Sequence, residues 1–284
     1  MFYSYKGGSG RTVAVANVAA ALCKLGKKVA VVDLDFEAPG LHHVFDAKRT
    51  SQFKRGKGIQ HYLKGEMTLH ALLDDVAIDV FGEEGPLSMF AVPTGAALTY
   101  FPASTKVAQV DSRSPQVNER MAALKASLSR NTEFLLIDAA SGIRDTYSIA
   151  SEISDEMYMF FRWSTQHVEG TILMAQYMRA LREFGRTASS FQLVASATPG
   201  ESELESLDER GRQGLIELRD HTRKRIEAEL RECMVEPPEI FQDIPEMVVL
   251  KWRESVIVFS QEGTAYEKMA EKILNSGAAR AAYV

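Results

Sequence analysis

Apolar residues along this chain alternate between short β-branched runs and longer stretches of helical spacing, and the order strand, helix, strand recurs from end to end. Phe2 to Tyr5 is a short apolar run, Val13 to Leu25 is rich in Ala and Leu, and Lys28 to Asp33 is a continuous β-branched run of the kind buried on both faces of a sheet. Gly26 stands where a helix end favours a left-handed residue. These segments predict a βαβ unit of roughly thirty residues. Further on, the pattern predicts strands at Ser88 to Val92, Phe134 to Asp138, Met157 to Phe161 and Phe191 to Ala195. Helical spacing covers Gln116 to Ser129 and about Gln166 to Phe184, whereas Ala96 to Pro115 reads as loop.

Glu201 to Met234 is a highly charged segment with a sparse apolar stripe, which predicts a surface helix with Gly211 and Gly214 as candidate breaks. Pro237-Pro238 stops it, a short apolar run reaches Ile244-Pro245, and a last helix is predicted from Thr264 to Leu274. The alternation implies an α/β fold with a doubly wound, mostly parallel sheet and helices on both faces. No repeat, low-complexity tract or linker divides the chain, so residues 1–284 read as one domain.

Composition narrows the function classes. A 45% hydrophobic and 25% charged chain is an ordinary globular protein. With 33 Lys and Arg against 38 Asp and Glu, the net charge of −5 excludes a uniformly basic nucleic-acid coat but leaves a local patch open. Five basic residues, Lys48, Arg49, Lys54, Arg55 and Lys57, crowd one predicted exposed loop. No run is long and apolar enough for a membrane span, no charged and apolar leader follows Met1, and the two cysteines, Cys23 and Cys233, form no metal or redox spacing. A cytoplasmic location is the expectation.

The chemistry concentrates in Lys6-Gly7-Gly8-Ser9-Gly10-Arg11-Thr12, between the first strand and the first helix. Glycines there let successive backbone N–H groups converge on a phosphate at the positive end of the following helix. As the common GxxxxGK[ST] loop the match is incomplete, because Tyr5 and Arg11 stand where glycine and lysine belong. As KGGxGK[ST] it departs only at Arg11, and in this form the segment resembles the deviant Walker-A ATPases of the ParA/MinD group. Val31-Val32-Asp33-Leu34-Asp35 through Leu41 resembles that group's switch strand, and Phe134 to Asp138 its Walker-B strand. Asp243-Ile244-Pro245 and the helix at Tyr266 to Ala270 resemble its C-terminal elements. The likeness therefore runs along nearly the whole chain, and KGGxGRT with DxDxEAPGL and Asp138-Ala139-Ala140-Ser141-Gly142 points to a branch in which arginine is usual.

Residue roles follow in part from the chemistry and in part from the resemblance. A P-loop places the Thr12 hydroxyl on Mg²⁺, and Asp138 at the end of a buried strand is positioned to hold the same ion through water. Asp33 and Asp35 are two apart and so share a strand face. The resemblance assigns Asp35 to the attacking water and Asp33 to the Mg²⁺ shell, leaving Gly7, Gly8, Ser9, Gly10 and Arg11 for ATP phosphates. It also implies that Lys6 crosses a dimer interface onto the partner's nucleotide, so that catalysis is assigned to Asp35 and Lys6 together. Arg11 keeps the charge of lysine but not its shape, which leaves hydrolysis open to be slow or absent. For the base the resemblance offers only Pro245-Glu246.

The resemblance thus implies an ATP- and Mg²⁺-dependent switch that forms a homodimer around ATP and docks on a protein partner of unstated identity. A regulatory nucleotide-binding subunit with little hydrolysis and an ATP-dependent ligase of the same fold are the alternatives. Non-specific DNA binding has two candidate patches, the 48–57 loop and Arg219, Arg223, Lys224 and Arg225. The latter alternate with acids and read as a salt-bridged face. The tail from Asn275 to Val284 has too little apolar surface for direct membrane docking.

Overall fold

The computed structural model describes residues 1–105, 110–111, 114–142, 145–183, 190–199, 204–233, 240–247, 250 and 253–276. Pro237-Pro238, Ile143-Arg144, Gly200 and residues 277–284 lie outside them. The first βαβ unit comprises β1 (Phe2–Tyr3), α1 (Arg11–Lys24) and β2 (Lys28–Leu34). Four short helices follow with an edge strand: α2 (Leu41–Val44), α3 (Ser51–Lys54), α4 (Ile59–Leu63), α5 (Leu69–Asp75) and β3 (Ile78–Asp79). The middle of the chain is β4 (Ala97–Phe101), α6 (Pro115–Leu128), β5 (Phe134–Ala139), α7 (Asp145–Ile153) and β6 (Glu156–Phe161). It closes with α8 (Thr165–Glu183), β7 (Ser190–Thr198), α9 (Glu209–Cys233), β8 (Ile240–Pro245) and α10 (Thr264–Asn275).

The strands form one eight-stranded sheet in the order β3-β4-β2-β5-β1-β6-β7-β8. All neighbouring pairs are parallel except the edge pair of β3 with β4. The expected doubly wound, mostly parallel α/β sheet is therefore what the chain forms. Strand residues alternate between its two faces. Ala30, Val32, Leu34, Ile137, Met159 and Phe161 pack on one side. Val29, Val31, Leu98, Leu136, Tyr158 and Phe160 pack on the other. Each such aliphatic side chain removed from water contributes about 1.5–3 kcal/mol, and burial on both faces explains why these strands read as continuous apolar runs rather than alternating ones.

Four expectations are corrected by the structure. Ser88 to Val92 is not a strand: Met89 is largely exposed and Phe90 stacks on Phe259 at 4.3 Å between ring centres. The strand is instead β4, inside the stretch expected to be loop, where Leu98 and Tyr100 point into one core and Phe101 into the other. Its parallel pairing with β2 from Lys28↔Ala97 to Val32↔Phe101 supplies the non-local partners that a short run does not advertise. The charged helix α9 passes through Gly211 and Gly214 without a break. Asp208 Oδ1 accepts the Gly211 N–H at 2.7 Å, so the side chain caps the helix start. Finally, the basic 46–57 segment is not wholly loop, because Ala47–Arg49 forms a 3₁₀ turn and α3 follows it.

α1 is buried along almost its full length, since α10 covers the face turned away from the sheet. Its small residues Ala14, Ala16, Ala19, Ala20 and Ala21 permit that double contact. Asn17 fixes the arrangement: its Nδ2 donates to the Val13 and Ser255 carbonyls at 2.9 and 3.0 Å, and its Oδ1 accepts the Ile257 N–H at 2.6 Å.

Candidate functional site

β1 ends at Tyr3, and the chain turns through Gly8 (φ 77°) and Gly10 (φ 73°), left-handed conformations that cost an L-residue with a side chain about 1–2 kcal/mol. Gly10 caps α1, and among the described residues no side-chain cap occupies this helix start. Lys6, Gly7, Gly8 and Gly10 are exposed, while Ser9 is buried. An unblocked helix start behind a glycine turn is the arrangement that receives phosphate.

Behind this loop lie three carboxylates. Asp33 and Asp138 are register partners on β2 and β5, both fully buried, and Asp35 follows at the end of β2. Asp33 Oδ1 accepts the Asp35 N–H at 3.1 Å and its other oxygen takes the Tyr100 hydroxyl at 3.5 Å. Asp35 Oδ1 accepts the Ala38 N–H at 3.1 Å. Burial, followed by the negative charge of Asp138, pushes the Asp33 pKa well above the usual carboxylate value, against the pull of the Asp35 N–H. Burial also raises Asp138, and the Arg11 guanidinium opposes it.

Arg11 joins the two ends of this cluster. Its Nε donates to Asp138 Oδ1 at 2.5 Å, one terminal nitrogen to Asp35 Oδ2 at 2.8 Å and the other to the Ser4 hydroxyl at 3.2 Å. Burial works against the guanidinium charge, but Asp138 and Asp35 outweigh it and the Arg11 pKa rises. Sequence alone places Arg11 on the nucleotide phosphates with the rest of the loop. In this structure its guanidinium engages the carboxylates behind the loop, an arrangement in which a planar fork serves both acids and Ser4 at once.

The oxygen donors suit Mg²⁺. Asp138 Oδ2 is buried and has no hydrogen-bond partner among the described residues, and the half-buried Thr12 hydroxyl favours the ionised carboxylate. Among the described residues no group of three or more His, Cys, Asp or Glu is spaced to hold a metal by itself. An ion here would depend on Thr12, water and substrate phosphates, as Mg²⁺ at phosphate sites ordinarily does. Gly40 packs against the same threonine, where a Cβ would lie 3.0 Å from Thr12 Cγ2.

Several neighbours were not legible beforehand. Gly142 donates its N–H to the Ser4 carbonyl at 3.1 Å, tying the segment after β5 to the loop. At the ends of β6, β7 and β8, Trp163 Nε1 donates to Thr198 Oγ1 at 3.0 Å and Thr198 to Asp243 Oδ1 at 2.8 Å. The Glu246 N–H bonds the Thr198 carbonyl at 2.8 Å, so Pro245-Glu246 is held beside that network. Each depends on pairing between strands far apart in sequence. A cleft of about 930 Å³ opens at the opposite end of the sheet, among Lys28, Phe134 and Glu156, away from these groups.

The basic candidates divide. On α9, Arg225 pairs with Glu229 at 2.7 Å and Glu169 at 3.8 Å, and Arg223 with Glu227 at 4.0 Å, which is the salt-bridged face expected. Lys48, Arg49, Lys54, Arg55 and Lys57 are all exposed; Arg49 meets Asp46 at 3.4 Å and Arg55 meets Asp75 at 3.0 Å. Among the described residues no helix is long and apolar enough to cross a membrane.

Comparison with known proteins agrees with this fold. The family described as CbiA, the CobQ/CobB/MinD/ParA nucleotide binding domain, matches residues 1–255. An uncharacterized ATP-binding protein of Methanocaldococcus jannaschii is 28% identical over 155 residues, which are 54% of this chain and 48% of that protein. The chain thus matches about half the length of this curated relative. The fold is similar to that of MinD in the MinC:MinD cell division complex of Aquifex aeolicus, with a TM-score of 0.63 at 19% identity over 97% of this chain and 95% of that one. A putative plasmid partition protein of Borrelia burgdorferi bound to AMPPNP gives 0.64 at 17% identity, covering 96% of each chain. Cobyrinic acid a,c-diamide synthase of Mycobacterium smegmatis, with a bound ATP analogue and magnesium, gives 0.66 at 15% identity, covering 96% of this chain and 93% of that one.

Proposed function

We propose that this chain, which belongs to the CobQ/CobB/MinD/ParA nucleotide-binding family, is an ATP- and Mg²⁺-dependent switch: two copies close around ATP, dock on a protein partner and separate after hydrolysis. Residues 1–284 act as one domain in this reading. The observation that carries it is the pairing of an open phosphate loop with a buried carboxylate cluster that Arg11 binds together. The amides of Gly8, Ser9, Gly10, Arg11 and Thr12 would receive the phosphates, with Gly7 allowing the close approach. Thr12, Asp33 and Asp138 would hold Mg²⁺, which when bound offsets charge on the phosphate oxygens. Asp35 orients the attacking water, and its link to Arg11 holds that carboxylate in place. Lys6, exposed at the loop's start, reaches the nucleotide of the second copy.

A second reading has its own support. If Arg11 stays on Asp35 and Asp138 when nucleotide is bound, the loop lacks the cation that usually meets the phosphates, and the protein is a nucleotide-binding regulatory subunit with little turnover. The likeness to the diamide synthase is one of fold and does not by itself favour a ligase. Light scattering of the purified protein with a slowly hydrolysed ATP analogue and Mg²⁺ tests the first reading, which predicts a change from monomer to dimer that ADP does not produce. Phosphate release under single-turnover conditions separates the second, which predicts binding without product.

A further inference from the structure

β1 has a neighbour on each flank. On the β5 and β2 side stand the carboxylates; on the β6 side the pairing of Phe2 with Tyr158 and Tyr3 with Met159 puts the ends of β1 and β6 side by side, so that the segments carrying Lys6 and Arg162 leave the sheet as neighbours. Tyr5 confirms that proximity from another direction. A Cβ on Gly170 of α8 would lie 2.0 Å from the Tyr5 ring, so the residue before Lys6 rests directly on the start of α8. His167, half-buried on the first turn of that helix, has its pKa lowered by burial and then by the charges of Arg162 and Lys6.

Lys6 and Arg162 are both exposed, and among the described residues neither has a carboxylate within ion-pair reach. Glu169, two residues beyond His167, leans to Arg225 at 3.8 Å instead. In a chain with more acidic than basic residues, where Arg219, Arg223, Arg225 and Arg231 of α9 each lie near an acid, two cations gathered without one repel each other in the free protein. Such a pair is compensated only when an anion arrives.

We propose that Lys6 and Arg162, with His167 behind them, form one anion-binding cluster that grips the phosphate chain of the nucleotide carried by a second copy of this chain. This rests on the dimer reading above and adds Arg162 to it as a second contact across the interface. Two features favour phosphate held by the partner over phosphate in the same subunit. The chain's own amide cradle opens beside the carboxylates on the β5 flank, whereas Lys6 and Arg162 stand on the β6 flank. Arg11, the loop's own basic residue, is turned inward, so the positive charge that a triphosphate requires has to come from elsewhere. An arginine fork suits two oxygens of one phosphate chain.

The test compares wild type, Arg162→Ala and Arg162→Lys for ADP affinity and for the dimer constant with adenosine 5′-thiotriphosphate and Mg²⁺. Arg162→Ala should bind ADP as wild type does and dimerise at least about tenfold more weakly, the scale of one lost charge-assisted contact per nucleotide. Arg162→Lys, which keeps the charge, should recover part of the loss. If wild type dimerises and Arg162→Ala does so equally well, the cluster is wrong and the dimer reading stands. An equal loss of ADP affinity in Arg162→Ala would place Arg162 on its own subunit's nucleotide and overturn the contact across the interface. A wild type that stays monomeric overturns the dimer reading and this proposal with it.

Discussion

Arg11 Nε lies 2.5 Å from Asp138 Oδ1, 127 positions along the chain, while the same guanidinium reaches Asp35, 24 positions away. The residue at the mouth of the loop is thereby joined to the ends of two different strands. Removing it would leave two buried acids with no counter-charge, and breaking such a pair on one side costs about 3–5 kcal/mol. Arg11→Ala should lower the urea midpoint markedly. Arg11→Lys, with a single compact ammonium, should restore only part of it, because it cannot meet Asp35, Asp138 and Ser4 together. Equal midpoints for wild type and Arg11→Ala would mean that the clasp contributes nothing to folding.

Asp33 predicts a pH dependence. Its folded pKa is raised, so the folded chain holds a proton that the unfolded chain releases near pH 4, and stability falls as pH rises from there towards the folded pKa. The slope for one group is at most about 1.4 kcal/mol per pH unit. Asn at this position keeps an acceptor for the Asp35 N–H but cannot ionise. Urea midpoints of the nucleotide-free Asp33→Asn protein should therefore decline less than those of wild type as pH rises above the usual carboxylate range.

Asp35→Ala should leave ATP binding nearly intact and reduce turnover by about a factor of 10² or more, since it removes water positioning and no phosphate contact. Steady-state hydrolysis beside equilibrium ATP binding checks both halves. Wild-type turnover in this variant would remove Asp35 from the chemistry.

The basic segment offers a prediction about DNA. If Lys48, Arg49, Lys54, Arg55 and Lys57 meet phosphates, binding in the ATP state should weaken with salt at a log–log slope of about −0.9 per phosphate neutralised. Titrations at two salt concentrations measure that slope. Absence of binding at low salt would leave the segment as solvated surface.

The central strands and their order of connection were legible because each is an apolar run buried on both faces, and Phe134 to Asp138 needs no partner to be recognised. β4 was not, since its five residues contain Thr99 and become a strand through pairing with β2. The site divides along the same line. Glycines with positive φ and acids at strand ends are local signals. The turn of Arg11 away from the loop's open side depends on Asp138, and the shared reach of Lys6 and Arg162 to His167 depends on β1 and β6 lying side by side; neither leaves a mark in the local sequence. The helical run through Gly211 and Gly214 was masked by low intrinsic propensity, which neighbouring contacts and the Asp208 cap override.

Asn17 carries a consequence for where the molecule can be cut. The family match ends at residue 255, yet this asparagine grips Ser255 and Ile257 from the helix that follows the phosphate loop, and α10 seals the same helix with Tyr266, Met269 and Ile273. The evolutionary boundary and the mechanical one therefore differ. A fragment ending at 255 would keep every residue of the loop and all three acids while stripping the outer wall from α1, so its apolar side chains would meet water and the loop would lose the rigid axle on which its amides are aligned. The segment 256–276, which contributes none of the loop residues or acids, in that sense supports the phosphate loop.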